Sequence, residues 1–89
     1  MPRVVFASAF QRHVACPPAD VSASTVREAV LAALAGNDVA RGYVFDDRGA
    51  LRKHVTIFVG GRTICDRELQ SDAVGPESEV YVMQALSGG

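Results

Sequence analysis

The residues of this sequence with the clearest chemical potential are the last two, Gly88 and Gly89. Glycine has no Cβ, so a Gly-Gly end passes through a channel too narrow for any other dipeptide and leaves the Gly89 carboxylate sterically open. A terminal carboxylate is ionised at neutral pH and is a poor electrophile. We therefore expect it to react only after activation, as an acyl-adenylate made from ATP whose carbonyl is attacked by a persulfide sulfur or an amine.

No other residues are spaced like a catalytic or metal-binding site. His13 and His54 are far apart and neither has a nucleophile beside it, and Gly60-Gly61 lacks the spacing and the following helix of a phosphate-binding loop. Cys16 and Cys65 form neither a CxxC pair nor a Cys/His cluster, so we expect free thiols, of the kind that is often buried. We therefore expect no bound metal, and a stand-alone enzyme is the weakest interpretation.

Length and composition limit the class of protein. Eighty-nine residues, 48% of them hydrophobic, predict one domain with a single core over residues 1–89. The 9 basic and 10 acidic residues form no basic stripe, which argues against a nucleic-acid partner. No apolar run is long enough to span a membrane, and the first residues lack the layout of a secretory signal. We therefore expect a cytoplasmic protein.

One helix is well marked among the elements that must position the Gly-Gly end. Thr25 is a good N-cap, and Glu28 three residues later completes a capping box. Gly36 supplies a left-handed stop. The pattern predicts a helix from about Val26 to Ala35, with one apolar face made by Val26, Ala29, Val30, Ala33 and Leu34.

Four or five strands accompany this helix. The segments RVVFASAF and EVYVMQ are apolar on most positions, so we expect the first and last strands to be neighbours at the centre of the sheet. Val14 and Val21, on either side of Pro17-Pro18, indicate a short second strand. The segments RGYVF and HVTIFV predict two more strands, and Gly60-Gly61 predicts a tight hairpin turn.

The remaining segments predict turns and complete the fold class. Asp46 to Gly49 and Gly75-Pro76 have the composition of turns, and Leu69 is the predicted apolar plug of the polar segment between them. The element order is typical of an α+β fold, a mixed four- to five-stranded sheet packed on one main helix.

Three stretches resemble the ubiquitin-like β-grasp sulfur carriers, the ThiS proteins and the MoaD small subunit of molybdopterin synthase. STVREAVLAAL is similar to the family's TVREAL helix, LRKHVTIFVGGRTI to its LRPHVxxFVNGxxI hairpin, and SEVYVMQALSGG to its DEVYxxPAVxGG ending. Together they cover most of the chain from Ser24 onward, and the match is closest to the MoaD-like branch. The resemblance implies a β-grasp fold over residues 1–89.

The resemblance also implies a mechanism centred on the tail. An adenylating enzyme resembling the ubiquitin-activating enzymes would use ATP and magnesium on Gly89, with Gly88 beside it. A sulfurtransferase or cysteine desulfurase would then supply the sulfur of a thiocarboxylate, which a biosynthetic synthase accepts. Residues 85–89 would form an extended flexible tail whose Leu86 and Ser87 contact the partner. The chain would bind no cofactor and act as a carrier, or as the small subunit of a synthase such as molybdopterin synthase.

The strand pattern predicts a partner-binding surface beside this tail. If Val80 and Val82 point into the core, Tyr81 and Met83 point outward, and the same alternation leaves Phe58 outside in the hairpin strand. Exposed aromatic and methionine side chains suit an interface, and the family has a hydrophobic patch at the position of Met83. The alternative is that Phe58 or Met83 packs under a loop or covers the helix.

Two departures from the family pattern leave the pathway open. Gly75-Pro76 stands where Gly-Asp is frequent, and Gln84-Ala85 stands where a proline is common. Molybdopterin, thiamine, cysteine, a thio-modified tRNA or another metabolite therefore all remain as destinations of the sulfur. A ubiquitin-like modifier joined through Gly89 to lysine, and a non-catalytic β-grasp interaction module, are the alternative functions.

Overall fold

A mixed five-stranded sheet organises the chain around its last strand. The computed structural model describes residues 1–7 and 17–84. The strands lie in the order β2-β1-β5-β3-β4, with β1 parallel to β5 and the other neighbouring pairs antiparallel. This arrangement confirms the predicted mixed sheet. The elements are β1 (Arg3–Phe6), β2 (Ala19–Asp20), α1 (Val26–Ala33), α2 (Asp38–Val44), β3 (Val55–Val59), β4 (Arg62–Thr63) and β5 (Glu79–Gln84).

The first and last strands are neighbours, as predicted. Val4 pairs with Val80 and Phe6 with Val82, and all four side chains are buried. Because alternate residues of a strand share a face, these valines and the phenylalanine lie on the side of the sheet that faces α1. The core there is completed by Val26, Ala29 and Val30 of α1 and by Val55 and Ile57 of β3.

Helix α1 begins at Val26, directly after its N-cap Thr25, as the capping box in the sequence predicts. The Glu28 backbone N–H donates to Thr25 Oγ1 at 3.2 Å, which is the expected N-cap bond. The Glu28 carboxylate accepts from the Ser24 backbone N–H at 2.9 Å and from the Ser24 hydroxyl at 3.0 Å, so its return bond reaches one residue before the cap. The helix ends at Ala33, and Gly36 has the predicted left-handed φ of 79°.

The strand predicted at RGYVF is wrong, because this segment lies in helix α2 and the residue that ends it. Asn37 caps the helix by accepting a hydrogen bond from the Ala40 N–H at 3.1 Å. Ala40 and Val44, four residues apart, are fully buried on one helix face. The β-forming character of Tyr43 and Val44 favoured a strand, but the cap and the helical spacing of the buried pair prevail. Neither helix of the described ranges is long enough to cross a membrane.

The predicted apolar plug is also wrong, since Leu69 is 65% exposed and the next residue, Gln70, is fully buried. The Gln70 amide is satisfied on both sides: its Nε2 donates to the Arg67 carbonyl at 2.7 Å, and its Oε1 accepts from Arg27 Nη1 at 3.0 Å. A hydrogen-bonded amide is stable in the interior, so no apolar plug is required. The Gln70 backbone has a left-handed φ of 50°.

The predicted turns and several smaller expectations have clear outcomes. Gly60 and Gly61 have φ values of 58° and 84°, the conformation of a two-residue hairpin turn between β3 and β4. Strand β2 lies close to the position predicted from Pro17-Pro18. Cys65 is a free cysteine, as expected, but its side chain is exposed rather than buried. The expectations on Phe10, Val14 and Cys16 lie outside the described residues.

Candidate functional site

The outer face of the sheet brings the predicted partner-binding residues together. Tyr81 of β5 pairs with Phe58 of β3 on one side and with Val5 of β1 on the other, and Met83 pairs with Thr56. Directly opposed residues of neighbouring strands share a face. We call the surface formed by Val5, Phe58, Tyr81 and Met83 the outer patch.

The outer patch is partly exposed, whereas the residues that alternate with Tyr81 and Met83 along β5 are buried. Val80 and Val82 are fully buried, whereas Tyr81 and Met83 are half-buried, so the predicted alternation along β5 is confirmed. Phe58 is likewise half-buried and is absent from the core. Val59 follows Phe58 and has the inward parity of the same strand alternation, but it is only half-buried and packs against the core.

An open depression of about 430 Å³ lies on this face. Phe58, Tyr81 and Met83 form its apolar walls, and the described residues that complete it are Gly60, Gly61 and Glu79. Its position on the solvent side argues against the alternative that Phe58 and Met83 pack beneath another element of the described chain. The shape and composition suit an apolar side chain of a partner, with one carboxylate at the rim.

The sequence did not identify Val5 as a member of the patch. The apolar character of RVVFASAF on most positions predicts a central strand without distinguishing its two faces. In the structure only Val4 and Phe6 are buried, and Val5 is half-buried beside Tyr81. The strand alternation combined with the predicted β1–β5 adjacency contains the signal that places Val5 next to Tyr81.

Strand β5 also leads the chain directly from the outer patch to its Gly-Gly end. Gln84, the last described residue, still pairs with Val55 of β3. Five residues follow it, which span at most about 18 Å when fully extended. Leu86, Ser87, Gly88 and Gly89 lie outside the described residues, so their assigned roles stay predictions.

Two of the three described carboxylates with a lowered pKa, Asp66 and Asp72, lie in the loop before β5 and owe the shift to hydrogen bonds. Hydrogen bonds from the backbone N–H groups of Cys65 and Asp66, both at 3.0 Å, lower the pKa of Asp72. The Ser71 hydroxyl, followed by the Leu69 N–H, lowers the pKa of Asp66. These bonds hold the loop before β5 and form no acid–base pair. Within residues 1–7 and 17–84, no three His, Cys, Asp or Glu residues are grouped to hold a metal ion.

Comparisons with solved structures identify the fold. Small archaeal modifier protein 1 from Methanosarcina acetivorans matches with a TM-score of 0.78 and 18% identity, over 99% of this chain and 95% of that chain. A chain of the BexX/CysO complex of Amycolatopsis orientalis matches with a TM-score of 0.75 and 14% identity, over 100% of both chains. Urm1 of Sulfolobus solfataricus matches with a TM-score of 0.71 and 8% identity, over 93% of this chain and 99% of that chain.

These neighbours share the ubiquitin-like β-grasp fold, and the first is named a modifier protein. The predicted β-grasp fold is therefore confirmed, and the likeness noted in the sequence holds at the level of the fold. No protein-family profile matches the sequence, and no curated protein is significantly similar to it.

Proposed function

We propose that this chain is a sulfur carrier whose C-terminal Gly89 is adenylated by an ATP-dependent enzyme and converted to a thiocarboxylate. The thiocarboxylate donates its sulfur to a synthase that makes molybdopterin, thiamine, cysteine or another sulfur-containing metabolite. The chain is a protein substrate in this cycle, and ATP and magnesium are used by the activating enzyme in the cytoplasm. One observation carries the proposal: the central strand of a β-grasp sheet runs past an apolar patch and leads to Gly-Gly.

The sheet supports this role because it fixes the starting point of the tail. Strand β5 is bonded on both sides, by β1 and by β3, and its pairing continues to Gln84. A partner that covers the outer patch therefore holds the root of residues 85–89 in a defined place. In this proposal Phe58, Tyr81 and Met83 bind the body of the partner, while Leu86 and Ser87 lie in its channel.

The chemistry requires two displacements at the tail. A carboxylate oxygen of Gly89 attacks the α-phosphorus of ATP, and pyrophosphate leaves. A sulfur nucleophile then attacks the carbonyl carbon, and the bond to AMP breaks with its electron pair on AMP. Hydrosulfide gives the thiocarboxylate directly. A persulfide on a sulfurtransferase or cysteine desulfurase gives an acyl disulfide, which a second thiol must reduce.

Intact-mass spectrometry tests the proposal. The full chain is incubated with the adenylating enzymes of its own organism, ATP, magnesium and sulfide. Exchange of one oxygen for sulfur should raise its mass by about 16 Da. A chain lacking Gly89 is the control and should not change. An unchanged mass of the full chain with every such enzyme would refute the proposal.

A protein modifier is the second candidate, because structural neighbours from two archaea are named modifier proteins. In that case a lysine amine, not sulfur, attacks the Gly89 adenylate and an isopeptide bond forms. Peptides from cell extracts in which Gly89 is joined to lysine would favour this function. If deletion of Gly88 and Gly89 left the protein fully active in its cell, the chain would be an interaction module instead.

A further inference from the structure

The end of the sheet from which the chain leaves toward Gly89 carries a group of basic side chains. Arg52, Lys53 and His54 precede β3 directly, and the first residue of β3, Val55, pairs with Gln84. A backbone hydrogen bond from Val55 N–H to the Arg52 carbonyl, at 3.0 Å, closes the turn that presents them. These residues therefore lie beside the root of the tail.

A fourth basic residue reaches this turn from a different loop. Arg67 Nη2 donates to the Arg52 carbonyl at 2.8 Å, and the Leu51 N–H donates to the Arg67 carbonyl at 3.0 Å. Residues far apart in sequence are thus fixed next to each other. We call Arg52, Lys53, His54 and Arg67 the root cluster.

The root cluster has no carboxylate partner among the described residues. The ion pairs found there are Arg3–Asp20 and Arg41–Asp38, and neither involves a member of the cluster. Asp46 lines the same shallow depression as Arg52, Lys53 and His54. Its Oδ1 already accepts from two backbone N–H groups, those of Arg48 at 2.8 Å and Ala50 at 3.0 Å.

At the opposite end of the outer face, basic and acidic side chains lie next to each other. Arg3 of β1 lies 3.9 Å from the Asp20 carboxylate of β2 and is the direct register partner of Glu79 in β5. The surface along β5 therefore changes from mixed charge, through the apolar outer patch, to basic side chains that form no ion pair within the described part of the chain. A partner that covers the patch and takes in the tail must place its own surface against the root cluster, and carboxylates satisfy that position.

We infer that the root cluster docks on an acidic rim at the mouth of the partner channel that receives the tail. This inference rests on the proposed function, because it assumes a partner that binds the tail. Rim charges of this kind raise the rate of association and make it dependent on salt. The cluster acts on binding and not on the chemical step, since Lys53 and His54 lie on the body of the protein and not in the tail.

Adenylation kinetics test the inference. The probe is the activating enzyme that gives the mass change described above, assayed with the full chain at low and high salt. Lys53→Glu changes an exposed side chain for which no hydrogen bond is found, so the fold should be kept, which circular dichroism checks. We expect its KM to rise on the order of tenfold at low salt with kcat unchanged, and the difference to shrink at high salt.

Arg62→Glu is the matched control, because it makes the same charge change at the hairpin end of the sheet, away from the tail root. Its KM should stay within about twofold of the original chain. Equal KM values for Lys53→Glu and the original chain would overturn the inference while leaving the carrier function intact. Absence of adenylation in the original chain would overturn both.

A single-stranded oligonucleotide serves as a second probe, because phosphates also attract basic clusters. We expect no binding that depends on Lys53. Tight binding that Lys53→Glu abolishes, together with an unchanged KM for adenylation, would assign the cluster to a nucleic acid and refute the acidic rim.

Discussion

The two faces of β5 both carry side chains with apolar surface, but they differ in how deeply those side chains are buried. Val80 and Val82 are fully buried against α1, while Tyr81 and Met83, on the opposite face, remain half-exposed. All four side chains have apolar surface, so each could contribute to a core. What separates them is the second layer: helices cover one face of the sheet, and no described element covers the outer patch. An apolar side chain here stabilises the fold on one face and is available to a partner on the other.

The largest expected effect is a difference in the free energy of unfolding between a substitution on the buried face and one on the exposed face. Val82→Asp places a carboxylate in the core without a partner, and we expect the free energy of unfolding to fall by about 4 kcal/mol or more. Urea denaturation followed by circular dichroism measures it. The control is Met83→Asp, one residue along the same strand, which should cost under about 1 kcal/mol. Equal losses would show that the two faces do not differ in burial.

A second, smaller effect extends the comparison to the loop before β5, where a polar side chain is the buried one. Gln70→Ala removes one of the two acceptors of Arg27 Nη1 and the donor to the Arg67 carbonyl. We expect a loss of about 2 kcal/mol in the same urea experiment. Leu69→Ala, at the exposed neighbour, should change stability by under about 0.5 kcal/mol. A larger loss at Leu69 than at Gln70 would restore the apolar plug that hydropathy predicted.

A third effect is expected on the exposed face, where a substitution should weaken binding and leave stability largely unchanged. Tyr81→Ala removes the centre of the outer patch, and we expect KM for adenylation to rise about tenfold or more. Its unfolding free energy should change far less than that of Val82→Asp. Isothermal denaturation and initial rates on the same preparation provide both numbers. A stable variant with an unaltered KM would remove the outer patch from the interface.

The smallest expected effect is on stability at acid pH, and it comes from carboxylates in the loop before β5, outside both faces of the strand. The N–H groups of Cys65 and Asp66 hold the pKa of Asp72 below its usual value, and the Ser71 hydroxyl does the same for Asp66. A carboxylate with a lowered pKa in the folded state stabilises that state above its unfolded pKa. The stabilisation is lost as the pH falls through the lowered folded value, so stability should decline below about pH 4.

Urea midpoints measured between pH 6 and pH 3 check this expectation. Asp72→Asn should reduce the fall of the urea midpoint between pH 6 and pH 3. Tyr81→Ala should leave the pH dependence of the midpoint unchanged, because the outer patch contains no carboxylate with a lowered pKa. A decline of the same steepness in Asp72→Asn would exclude Asp72 as its source.

The alternation along β5 and the capped start of α1 could be predicted from the sequence because each depends on a local period or a local hydrogen bond. The pairing of β1 with β5 followed from their shared apolar character. Helix α2 was missed because the β propensity of its aromatic and branched residues outweighed the signal of the Asn37 cap. Gln70 was missed because a loop has no period, and the turn held by Asp66 determines which neighbour points inward.

The candidate site was predictable in part for the same reasons. Phe58, Tyr81 and Met83 follow from strand alternation, whereas Val5 requires knowledge of which strand is the neighbour of β5. The root cluster depends on register, since Val55 must face Gln84, and on a contact between two loops that brings in Arg67. The run Arg52-Lys53-His54 before a strand was visible in the sequence, but its position beside the tail was not.

The chemistry of Gly89 in the cell tests the central claim most directly. The chain is isolated from its own organism through an N-terminal tag, treated at once with iodoacetamide to trap a thiocarboxylate, and fragmented intact in a mass spectrometer. The carrier function predicts an alkylated sulfur that the fragment series assigns to Gly89. A free carboxylate in every molecule, or Gly89 found only in bonds to lysine, would contradict it.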